Sequence, residues 1–320
     1  MKICVIGTGY VGLVTGVCFA DLGNTVHCVD TDVHKIKKLN NASVPIFEPG
    51  LEELVKKCYK YKRLIFTTDL KKSVKYSDII FVCVGTPTIK ISNSVNLKYV
   101  FKVARDIRRY IKKFKIVIIK STVPVTTGDK VEEIINSKVR RKLFEVVSNP
   151  EFLREGEAIR DFKYPDRIII GTENKKVTKI LANLYEPIIK KGAIYFKTSR
   201  KSAELIKYAS NAFLATKISF INELANLCEK IGINTEDIAI GMGLDKRIGS
   251  RFLRIGPAYG GSCFPKDTRA LVNIGEKFKA NMSIVRSVIK SNDNRRSLLT
   301  KRIYEIMSNK LKNKIITFLG

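Results

Sequence analysis

The stretch that decides the fold is residues 2–12, Lys-Ile-Cys-Val-Ile-Gly-Thr-Gly-Tyr-Val-Gly, in which a short apolar run leads directly into Gly-x-Gly-x-x-Gly. A helical pattern follows as far as Leu22, and a second strand pattern over Thr25–Val29 ends at Asp30. A strand, a glycine turn, a helix, a strand and a terminal acid in this order predict a dinucleotide-binding βαβ unit.

Each glycine of the motif has a physical task in such a unit. Gly7 is expected to make the tight turn, Gly9 to let a pyrophosphate approach the backbone, and Gly12 to let helix and strand pack closely. Free N–H groups at the helix N-terminus then face the phosphates. Asp30 would repel a 2′-phosphate, which favours NAD over NADP, although Lys35 close by weakens that preference. The alternative is an ordinary glycine turn.

Strand patterns continue along the first half of the chain, and helical patterns lie between most of them. The strand patterns are Leu64–Thr67, Ile79–Val84, Ile116–Ile119, Phe144–Val147 and Arg167–Ile170. This alternation predicts an α/β fold with a mostly parallel, doubly wound sheet of the Rossmann type.

Small polar segments follow three of these strands, at Gly85–Pro87, Lys120–Pro124 and Ser148–Glu151. Ligands bind at the carboxyl ends of the strands in such sheets, so these segments are expected to face the cofactor. The alternative is that they are connecting turns rich in Thr, Ser and Pro.

The second half of the chain changes to helical patterns without strands from about Ser202. Ala203–Lys230 contains neither Gly nor Pro and carries Lys207 and Asn211 four residues apart, a spacing that predicts one shared helical face. The two side chains could together reach one oxygen atom. The alternative is that Lys207 is one more solvated lysine.

A glycine-rich loop, residues 256–267, follows with the sequence Gly-Pro-Ala-Tyr-Gly-Gly-Ser-Cys-Phe-Pro-Lys-Asp. Most other cysteines sit in apolar strand or helix patterns, whereas Cys263 lies in this loop close to Lys266 and Asp267. A loop thiol beside a lysine is a candidate nucleophile. The alternative is an incidental cysteine in a glycine loop.

The composition excludes several classes of protein. With 320 residues, 45% of them hydrophobic and 28% charged, the chain is typical of a globular protein of about two domains. No apolar run approaches the ~20 residues that cross a membrane, and the glycines near the N-terminus do not suit an export signal. The seven cysteines form no Cys-x-x-Cys, and His27 and His34 are the only histidines. We therefore expect neither a disulfide scaffold nor a metal site.

Six segments of the chain resemble, in order, the signature segments of the UDP-glucose/GDP-mannose dehydrogenase family. They are GTGYVGLVTG, VCVGTP, KSTVPVTTGD, SNPEFLREGEAIRDFKYPDRIIIG, AELIKYASNAFLATKISFINE and GPAYGGSCFPKDTRAL. The GGSCFPKD form and the YPDR segment fit the members that oxidise the C6 alcohol of UDP-glucose to UDP-glucuronate with two NAD+. GDP-mannose dehydrogenases usually have Leu at the position of Phe264, and UDP-N-acetylmannosamine dehydrogenases usually have His before the cysteine.

The resemblance implies a covalent route through Cys263. Its sulfur would add to the aldehyde to form a thiohemiacetal, and loss of a second hydride would give a thioester that water hydrolyses. Lys207 would move a proton or stabilise the developing oxyanion, and Asn211 would donate a second hydrogen bond.

Further site residues follow from the same resemblance. Asp267 and Thr122 would order or deprotonate water, and Glu151 would act as acid or base in the hydrolysis. The residues implied to contact NAD are Gly7, Gly9, Tyr10, Val11, Gly12, Asp30, Lys35, Thr86, Thr122, Glu155 and Lys266. Those implied to line the sugar-nucleotide site are Glu151, Phe152, Leu153, Arg154, Glu155, Lys207, Asn211, Phe252, Leu253, Arg254, Ile255, Gly256 and Gly260, with Arg247 reaching the substrate of a neighbouring subunit.

We predict three regions: an NAD-binding domain at 1–198, an all-helical central domain with the cysteine loop at 199–312, and the start of a second, truncated Rossmann-like domain at 313–320. Residues 314–320, Lys-Ile-Ile-Thr-Phe-Leu-Gly, repeat the opening order of a basic residue, an apolar run and a glycine. The family has a UDP-binding domain at this point. We therefore expect Ile315–Leu319 to be an orphan strand that is frayed or packed non-natively. Unless another polypeptide supplies that domain, we also expect weak substrate affinity and little or no turnover.

Two rival functions account for part of the sequence. A dehydrogenase of the 3-hydroxyacid or 6-phosphogluconate type shares the Lys-x-x-x-Asn helix but has no need of the Cys263 loop. A nucleic-acid-binding protein would use the net charge of +29, but the lysines are scattered over nearly every segment instead of forming one stripe. We therefore expect a cytoplasmic, homodimeric dehydrogenase that acts on a nucleotide sugar, with no specific nucleic-acid partner and no membrane partner.

Overall fold

The structure is a computed structural model that describes residues 1–89, 94–138, 143–308 and 310–317. The chain divides into two compact units, Met1–Lys207 and the residues from Tyr208 onward. The division falls inside one long helix, and each unit is described by itself. The domain boundaries predicted after residues 198 and 312 stay predictions.

Ten strands lie in the described part of the first unit. They are β1 (Lys2–Ile6), β2 (Thr25–Val29), β3 (Leu64–Thr67), β4 (Ile79–Val82), β5 (Thr88–Ile89), β6 (Ser94–Val95), β7 (Lys115–Ile119), β8 (Phe144–Ser148), β9 (Arg167–Gly171) and β10 (Ile194–Thr198). Eight of them form one sheet in the order β10-β9-β8-β7-β4-β1-β2-β3, and β5 and β6 pair separately. The order 3-2-1-4-7-8 is that of a doubly wound sheet, which confirms the predicted fold class.

Helices cover both faces of this sheet. They are α1 (Tyr10–Asp21), α2 (Val33–Asn40), α3 (Leu51–Lys60), α4 (Leu70–Tyr76), α5 (Lys98–Tyr110), α6 (Thr127–Asn136), α7 (Ala158–Lys163) and α8 (Lys175–Ile189). Successive residues of β1 point to opposite faces of the sheet. Ile3 and Val5 pack in the hydrophobic cluster that includes α1, α3 and α8, whereas Cys4 and Ile6 pack in the cluster that includes α4, α5 and α6. Strands buried on both faces read as continuous apolar runs, which is why the sequence revealed them.

The last two strands of the sheet depart from the parallel pattern. β9 meets β8 in antiparallel orientation, with Ser148 opposite Gly171, and β10 then pairs in parallel with β9. β10 was not among the predicted strands. It is an edge strand in which Ile194 is 66% exposed and Phe196 is 48% exposed, so no buried apolar run marks it.

The second unit is built around helices, as predicted. α9 (Arg200–Ile231) enters it from the first unit, and α10 (Thr235–Gly243), α11 (Phe264–Lys277) and α12 (Ser283–Ile306) follow. Ala215 of α9, Tyr259 of the glycine-rich loop and Val288 of α12 form a small buried cluster. Among the described residues, no helix is both long enough and apolar enough to span a membrane.

The predicted orphan strand, Ile315–Leu319, is not formed where the structure describes it. Ile315–Thr317 have no strand assignment, and Ile315 is 96% exposed. A strand needs a neighbour for its backbone hydrogen bonds, and the described residues of this unit contain none. Phe318–Gly320 lie outside the described residues.

Candidate active site

The glycine motif forms the turn between β1 and α1. Gly7 has a φ of +97°, and a Cβ there would lie 2.8 Å from the carbonyl oxygen of Cys83. A Cβ on Gly12 would lie 1.9 Å from the carbonyl oxygen of Gly7, so neither position tolerates a side chain. At Gly9 an added Cβ meets nothing within 4 Å, and no side chain caps the start of α1. The backbone here faces open space, which fits the pyrophosphate of a dinucleotide.

Asp30 lies beside this turn, immediately after β2. Its Oδ2 accepts hydrogen bonds from the backbone N (2.8 Å) and Oγ1 (2.7 Å) of Thr8 and lies 3.3 Å from Lys35 Nζ. Its Oδ1 accepts from the backbone N of Asp32. Burial opposes the charged form, but the hydrogen bonds and the charge of Lys35 outweigh it, so the pKa of Asp30 is lowered. An ionised acid at this position suits a ribose hydroxyl.

The polar segments after β4 and β7 are bonded to each other. Thr86 Oγ1 donates to the carbonyl oxygen of Thr122 at 2.9 Å, and Ser121 Oγ donates to the carbonyl oxygen of Val84 at 2.7 Å. β4 and β7 are neighbouring parallel strands, so these segments meet at the carboxyl edge of the sheet. Thr86 and Thr122 thus lie at the edge where doubly wound sheets bind their ligands.

A buried ion pair joins the segment after β8 to α9. Lys207 Nζ lies 3.1 Å from Glu151 Oε1, and the two side chains are only 5% and 7% exposed. Glu151 Oε2 accepts a hydrogen bond from the backbone N of Leu153 at 2.6 Å, and the Phe152 ring centroid lies 5.2 Å from Lys207 Nζ. An ammonium and a carboxylate held together away from water can exchange a proton with a bound alcohol or aldehyde.

Lys120 contributes a second buried amine to this end of the sheet. Its Nζ donates to Asn149 Oδ1 at 3.2 Å, and Tyr185 donates to the same oxygen at 2.6 Å. Burial lowers the pKa of Lys120 to about 8, with the opposing effects of Cys83 and Glu151 and a smaller lowering by the charge of Lys207 included. The sequence placed Lys120 only in a polar turn, because nothing in a turn pattern shows that an amine is buried.

Glu204 is a site residue that the sequence interpretation missed. Its Oε1 accepts from the backbone N of Gly128 (2.8 Å) and from Ser148 Oγ (3.2 Å), and its Oε2 accepts from the backbone N of Thr126 (2.8 Å). Burial raises the pKa of Glu204 to about 7 even though these bonds favour the charged form. The carboxylate ties α9, one turn before Lys207, to the segment that carries Thr122.

Arg154 and Glu155, implied by the resemblance to line the sugar-nucleotide site, are both exposed. The Arg154 guanidinium lies 2.7 Å from Asp161 and 2.6 Å from Glu157, so its charge is shared with two neighbouring carboxylates. The structure thus places this arginine in a local ion-pair network of the first unit.

In the second unit the predicted residues gather around Asp267, on the first turn of α11. Asp267 is completely buried, and its Oδ2 accepts a hydrogen bond from Asn211 Nδ2 at 2.6 Å. Its Oδ1 accepts from Lys266 Nζ, and its backbone N donates to the carbonyl oxygen of Cys263 at 2.8 Å. The structure thus brings Asn211, Lys266 and Asp267 together directly after the cysteine.

Cys263 differs from the other six cysteines in its exposure. Cys263 is half-buried at the start of α11 and lies 3.5 Å from Ser262 Oγ, whereas the other six, all within the described residues, are buried. Burial raises the pKa of Cys18 to about 12 and that of Cys58 to about 11, so these thiols stay protonated. Cys263 is therefore the thiol that a substrate can reach.

The loop before Cys263 is held by side chains from α9 and α12. The backbone N of Gly256 donates to Asn222 Oδ1 at 2.9 Å, and Arg295 Nε donates to the carbonyl oxygen of Gly256 at 2.8 Å. Asn292 accepts from the backbone N of Tyr259 at 2.7 Å and donates to its carbonyl oxygen at 3.1 Å. The sequence interpretation missed Asn222, Asn292 and Arg295, since no local spacing links them to a loop that lies far away in the chain.

The remaining predicted residues of this unit differ in exposure. Phe252 has a φ of +66° and its ring lies edge-on to that of Phe264, and Leu253 is buried. The exposed ones are Arg254, Ile255 and Gly260. Arg247 is 90% exposed and lies 2.6 Å from Asp245, so within this unit it is bound to a neighbouring carboxylate.

Comparison with known families matches two regions of the chain. Residues 1–189 match the NAD binding domain of the UDP-glucose/GDP-mannose dehydrogenase family, and residues 201–294 match its central domain. The first region holds the glycine turn, Asp30 and Glu151, and the second holds Lys207, Asn211 and Cys263.

Individual relatives resemble the chain over its whole length. The UDP-glucose 6-dehydrogenase of Rhizobium meliloti is 48% identical over 100% of this chain and 74% of its own length. A solved UDP-glucose dehydrogenase from Pyrobaculum islandicum is 37% identical with a TM-score of 0.92, covering 96% of this chain and 71% of the other. GDP-mannose dehydrogenase from Pseudomonas aeruginosa is 34% identical with a TM-score of 0.75, covering 96% and 71%. The chain belongs to the UDP-glucose/GDP-mannose dehydrogenase family.

Proposed function

We propose that this chain oxidises the C6 alcohol of UDP-glucose to the carboxylate of UDP-glucuronate with two NAD+. The family to which the chain belongs consists of nucleotide-sugar dehydrogenases with an NAD binding domain. The relative from Rhizobium meliloti is similar over the whole chain and is a UDP-glucose 6-dehydrogenase. The observation that carries the chemistry is the half-buried Cys263 close to the hydrogen-bonded cluster of Asn211, Lys266 and Asp267. An alcohol dehydrogenase that stops at the aldehyde has no use for such a thiol.

NAD+, when bound, accepts a hydride from C6 in each of the two oxidations. The glycine turn with its open face at Gly9, the free N–H groups at the start of α1 and the ionised Asp30 are the groups that would hold it. Thr86 and Thr122 lie at the same edge of the sheet and would contact the cofactor there.

The first oxidation needs a group that takes the proton of the C6 hydroxyl as the hydride leaves. Lys207 and Glu151 are buried together and form a pair that can pass this proton on. The ammonium of Lys207 also stabilises negative charge on the C6 oxygen, and Asn211, four residues later on α9, would donate a second hydrogen bond. The product of this step is an aldehyde at C6.

The second oxidation proceeds through Cys263. Its thiol gives up its proton as the sulfur adds to the aldehyde carbon. A C–S bond forms, the C=O π bond breaks, and the carbonyl oxygen takes a proton in place of the one that the thiol lost, which gives a thiohemiacetal. Loss of hydride from C6 and of the hydroxyl proton leaves a thioester. Water then adds to the thioester carbon and the C–S bond breaks, which releases the carboxylate and restores the thiol. Asp267 and Thr122 would order this water, and Glu151 would take its proton.

We also propose a homodimer formed through α9. Phe213, Phe220 and Leu227 recur every seven residues along this helix and are 66%, 48% and 52% exposed. A seven-residue apolar stripe on one helix is suited to packing against a second helix. We expect light scattering to give a dimer mass for the protein and a monomer mass for Phe220→Glu, with Lys60→Glu, an exposed position on α3, as the control. A monomeric parent protein would contradict the proposal. The cytoplasmic location stays a prediction.

The proposed substrate is tested by NADH formation with three sugar nucleotides under the same conditions. We expect kcat/KM to be highest for UDP-glucose, and lower for GDP-mannose and UDP-N-acetylmannosamine. A higher value for either competitor would overturn the choice of sugar. No reduction of NAD+ with any of the three by a chain extended beyond Gly320 with the family's UDP-binding domain would overturn the assignment.

A further inference from the structure

Glu48 is a buried carboxylate that none of the roles above uses. It lies in the loop between α2 and α3 and is 7% exposed. Its Oε2 accepts a hydrogen bond from the Tyr10 hydroxyl and one from the backbone N of Gly156 at 3.0 Å. Its Oε1 accepts from the backbone N of Ile159 at 3.1 Å. Both oxygens of this acid are thus taken up by the first unit itself.

Tyr10 completes a three-way contact. Its hydroxyl donates to Glu48 and accepts from the backbone N of Gly156 at 2.6 Å, across a separation of 146 residues in the chain. Tyr10 belongs to the glycine motif and is the first residue of α1. Gly156 follows Glu155 directly and has a φ of +89°, a conformation that favours glycine. One hydroxyl and one carboxylate therefore join the dinucleotide turn to the end of the segment 151–156.

These bonds cannot be replaced by water without rearrangement, because Glu48 is buried. Hydrogen bonds to an ionised acceptor are stronger than those between neutral groups, and breaking one leaves a buried donor unpaired. Burial, with a further contribution from the Glu48 hydrogen bond, raises the pKa of Tyr10 to about 12, so the hydroxyl remains a donor at neutral pH. A glutamine at 48 would turn an NH2 group toward one of the donors.

We propose that Tyr10 and Glu48 are positioning residues that fix the segment 151–156 against the glycine turn, so that both the dinucleotide and the sugar nucleotide depend on them. The proposal rests on the proposed function, since it assigns the cofactor to the turn and the sugar nucleotide to the segment. Glu48 need not touch a ligand, and the Tyr10 hydroxyl is held by Glu48 and Gly156 whether or not another part of Tyr10 contacts NAD, as the resemblance implies. Each acts by fixing the position of groups that contact the ligands: the backbone of Gly9 for the dinucleotide and the side chain of Glu151 for the sugar nucleotide.

The test uses Tyr10→Phe, Glu48→Gln and the double variant, with Tyr195→Phe as the matched control. Tyr195 donates its hydroxyl to the carbonyl oxygen of Thr178 at 2.8 Å, on the edge strand far along the sheet from β1. Two quantities are measured for each protein: the Kd for NAD+ by calorimetry and the KM for UDP-glucose. The melting temperature is recorded alongside, so that both are measured well below unfolding.

We expect Tyr10→Phe and Glu48→Gln each to raise both constants about tenfold, the loss of one hydrogen bond to a charged group. The double variant should be no worse than Glu48→Gln, because the two residues act through one contact. Tyr195→Phe should keep both constants, even if its melting temperature falls.

Three results would overturn the inference: unchanged constants in Tyr10→Phe, a change in one ligand alone, or an equal change in Tyr195→Phe. Tyr10→Phe removes a single oxygen and keeps the ring, so it serves if Glu48→Gln does not fold. Failure of the proposed function looks different, because the parent protein itself would then fail to reduce NAD+ with UDP-glucose. The NAD+ titration would in that case still decide the cofactor half of the inference, and the sugar half would fall with the function.

Discussion

The polar side chains of the first unit and those of the second unit are held in place in different ways. In the first unit, Glu151, Thr86 and Thr122 follow buried parallel strands, and the backbone of the sheet brings them to one edge. In the second unit, the glycine-rich loop has no strand beneath it and is held by Asn222, Asn292 and Arg295, which reach it from two helices. Placement by a sheet follows from topology, whereas placement of a loop depends on individual side chains.

The two units also differ in the chemistry that their side chains can perform. The buried pair Glu151–Lys207 combines opposite charges within 3.1 Å and is suited to moving protons. The second cluster combines a reachable thiol with a fully buried carboxylate, Asp267, which is suited to covalent chemistry and hydrolysis. We therefore expect substitutions in the Glu151–Lys207 pair to slow proton transfer, and substitutions at Cys263 to block the covalent step.

The largest expected effect comes from removing the thiol. Cys263→Ala should lower overall turnover to UDP-glucuronate by a factor on the order of 10³ or more, since no thioester can form. The neighbouring Ser262→Ala serves as the control and should keep most of the activity. UDP-glucuronate formation followed by chromatography measures both. Near-normal turnover in Cys263→Ala would leave the second cluster without its assigned chemistry and favour an ordinary alcohol dehydrogenase.

The next effect comes from breaking the buried pair of the first unit. Lys207→Met should lower kcat about 10²-fold through the lost proton transfer. It should also lower the free energy of unfolding by about 3–5 kcal/mol, because Glu151 is left charged and buried without its partner. Stopped-flow NADH formation and urea denaturation check the two parts.

Lys230→Met, an exposed lysine further along α9, is the control for that variant and should behave like the parent protein. A Lys207→Met protein of normal kcat would show that the buried pair is structural only, and would remove the contrast drawn between the clusters.

A smaller effect should follow from loosening the loop of the second unit. Asn292→Ala removes both hydrogen bonds to the Tyr259 backbone, so the KM for UDP-glucose should rise about tenfold. The Kd for NAD+ should change less, because of the residues implied to contact NAD only Lys266 lies in the second unit. Asn294→Ala, an exposed neighbour on α12, is the matched control. An equal rise in both constants would mean that Asn292 supports the protein as a whole.

The last effect is on stability instead of activity and comes from Glu204, whose pKa in the folded protein is raised from 4.5 to about 7. Between these two values the folded protein holds a proton that the unfolded chain has lost, so stability falls as pH rises through this window and levels off above about 7. From pH 4.5 to pH 8, we expect the parent protein to lose about 3 kcal/mol relative to Glu204→Gln. Urea denaturation across pH measures it, with the exposed Glu186→Gln as reference, and parallel curves would contradict the raised pKa.

The difference between placement by a sheet and placement by single side chains explains how much of the structure the sequence could predict. Strands such as Ile79–Val82 are buried on both faces and could be read as continuous apolar runs, and their order placed Thr86 and Thr122 at one edge. β10 was not predicted because it is an exposed edge strand. Glu204 was not predicted because its partners lie 56 to 78 residues earlier in the chain. Asn292 and Arg295 were not predicted for the same reason. Contacts made by single side chains over long separations leave no period in the sequence.

The central claim is that this protein carries UDP-glucose through both oxidations by way of Cys263. The number of NADH formed per UDP-glucose consumed tests it most directly. With limiting UDP-glucose and excess NAD+, absorbance gives the NADH and chromatography gives the sugar nucleotides. We expect two NADH for each UDP-glucuronate, with no free aldehyde accumulating. One NADH per UDP-glucose, with the aldehyde released as the product, would contradict the account.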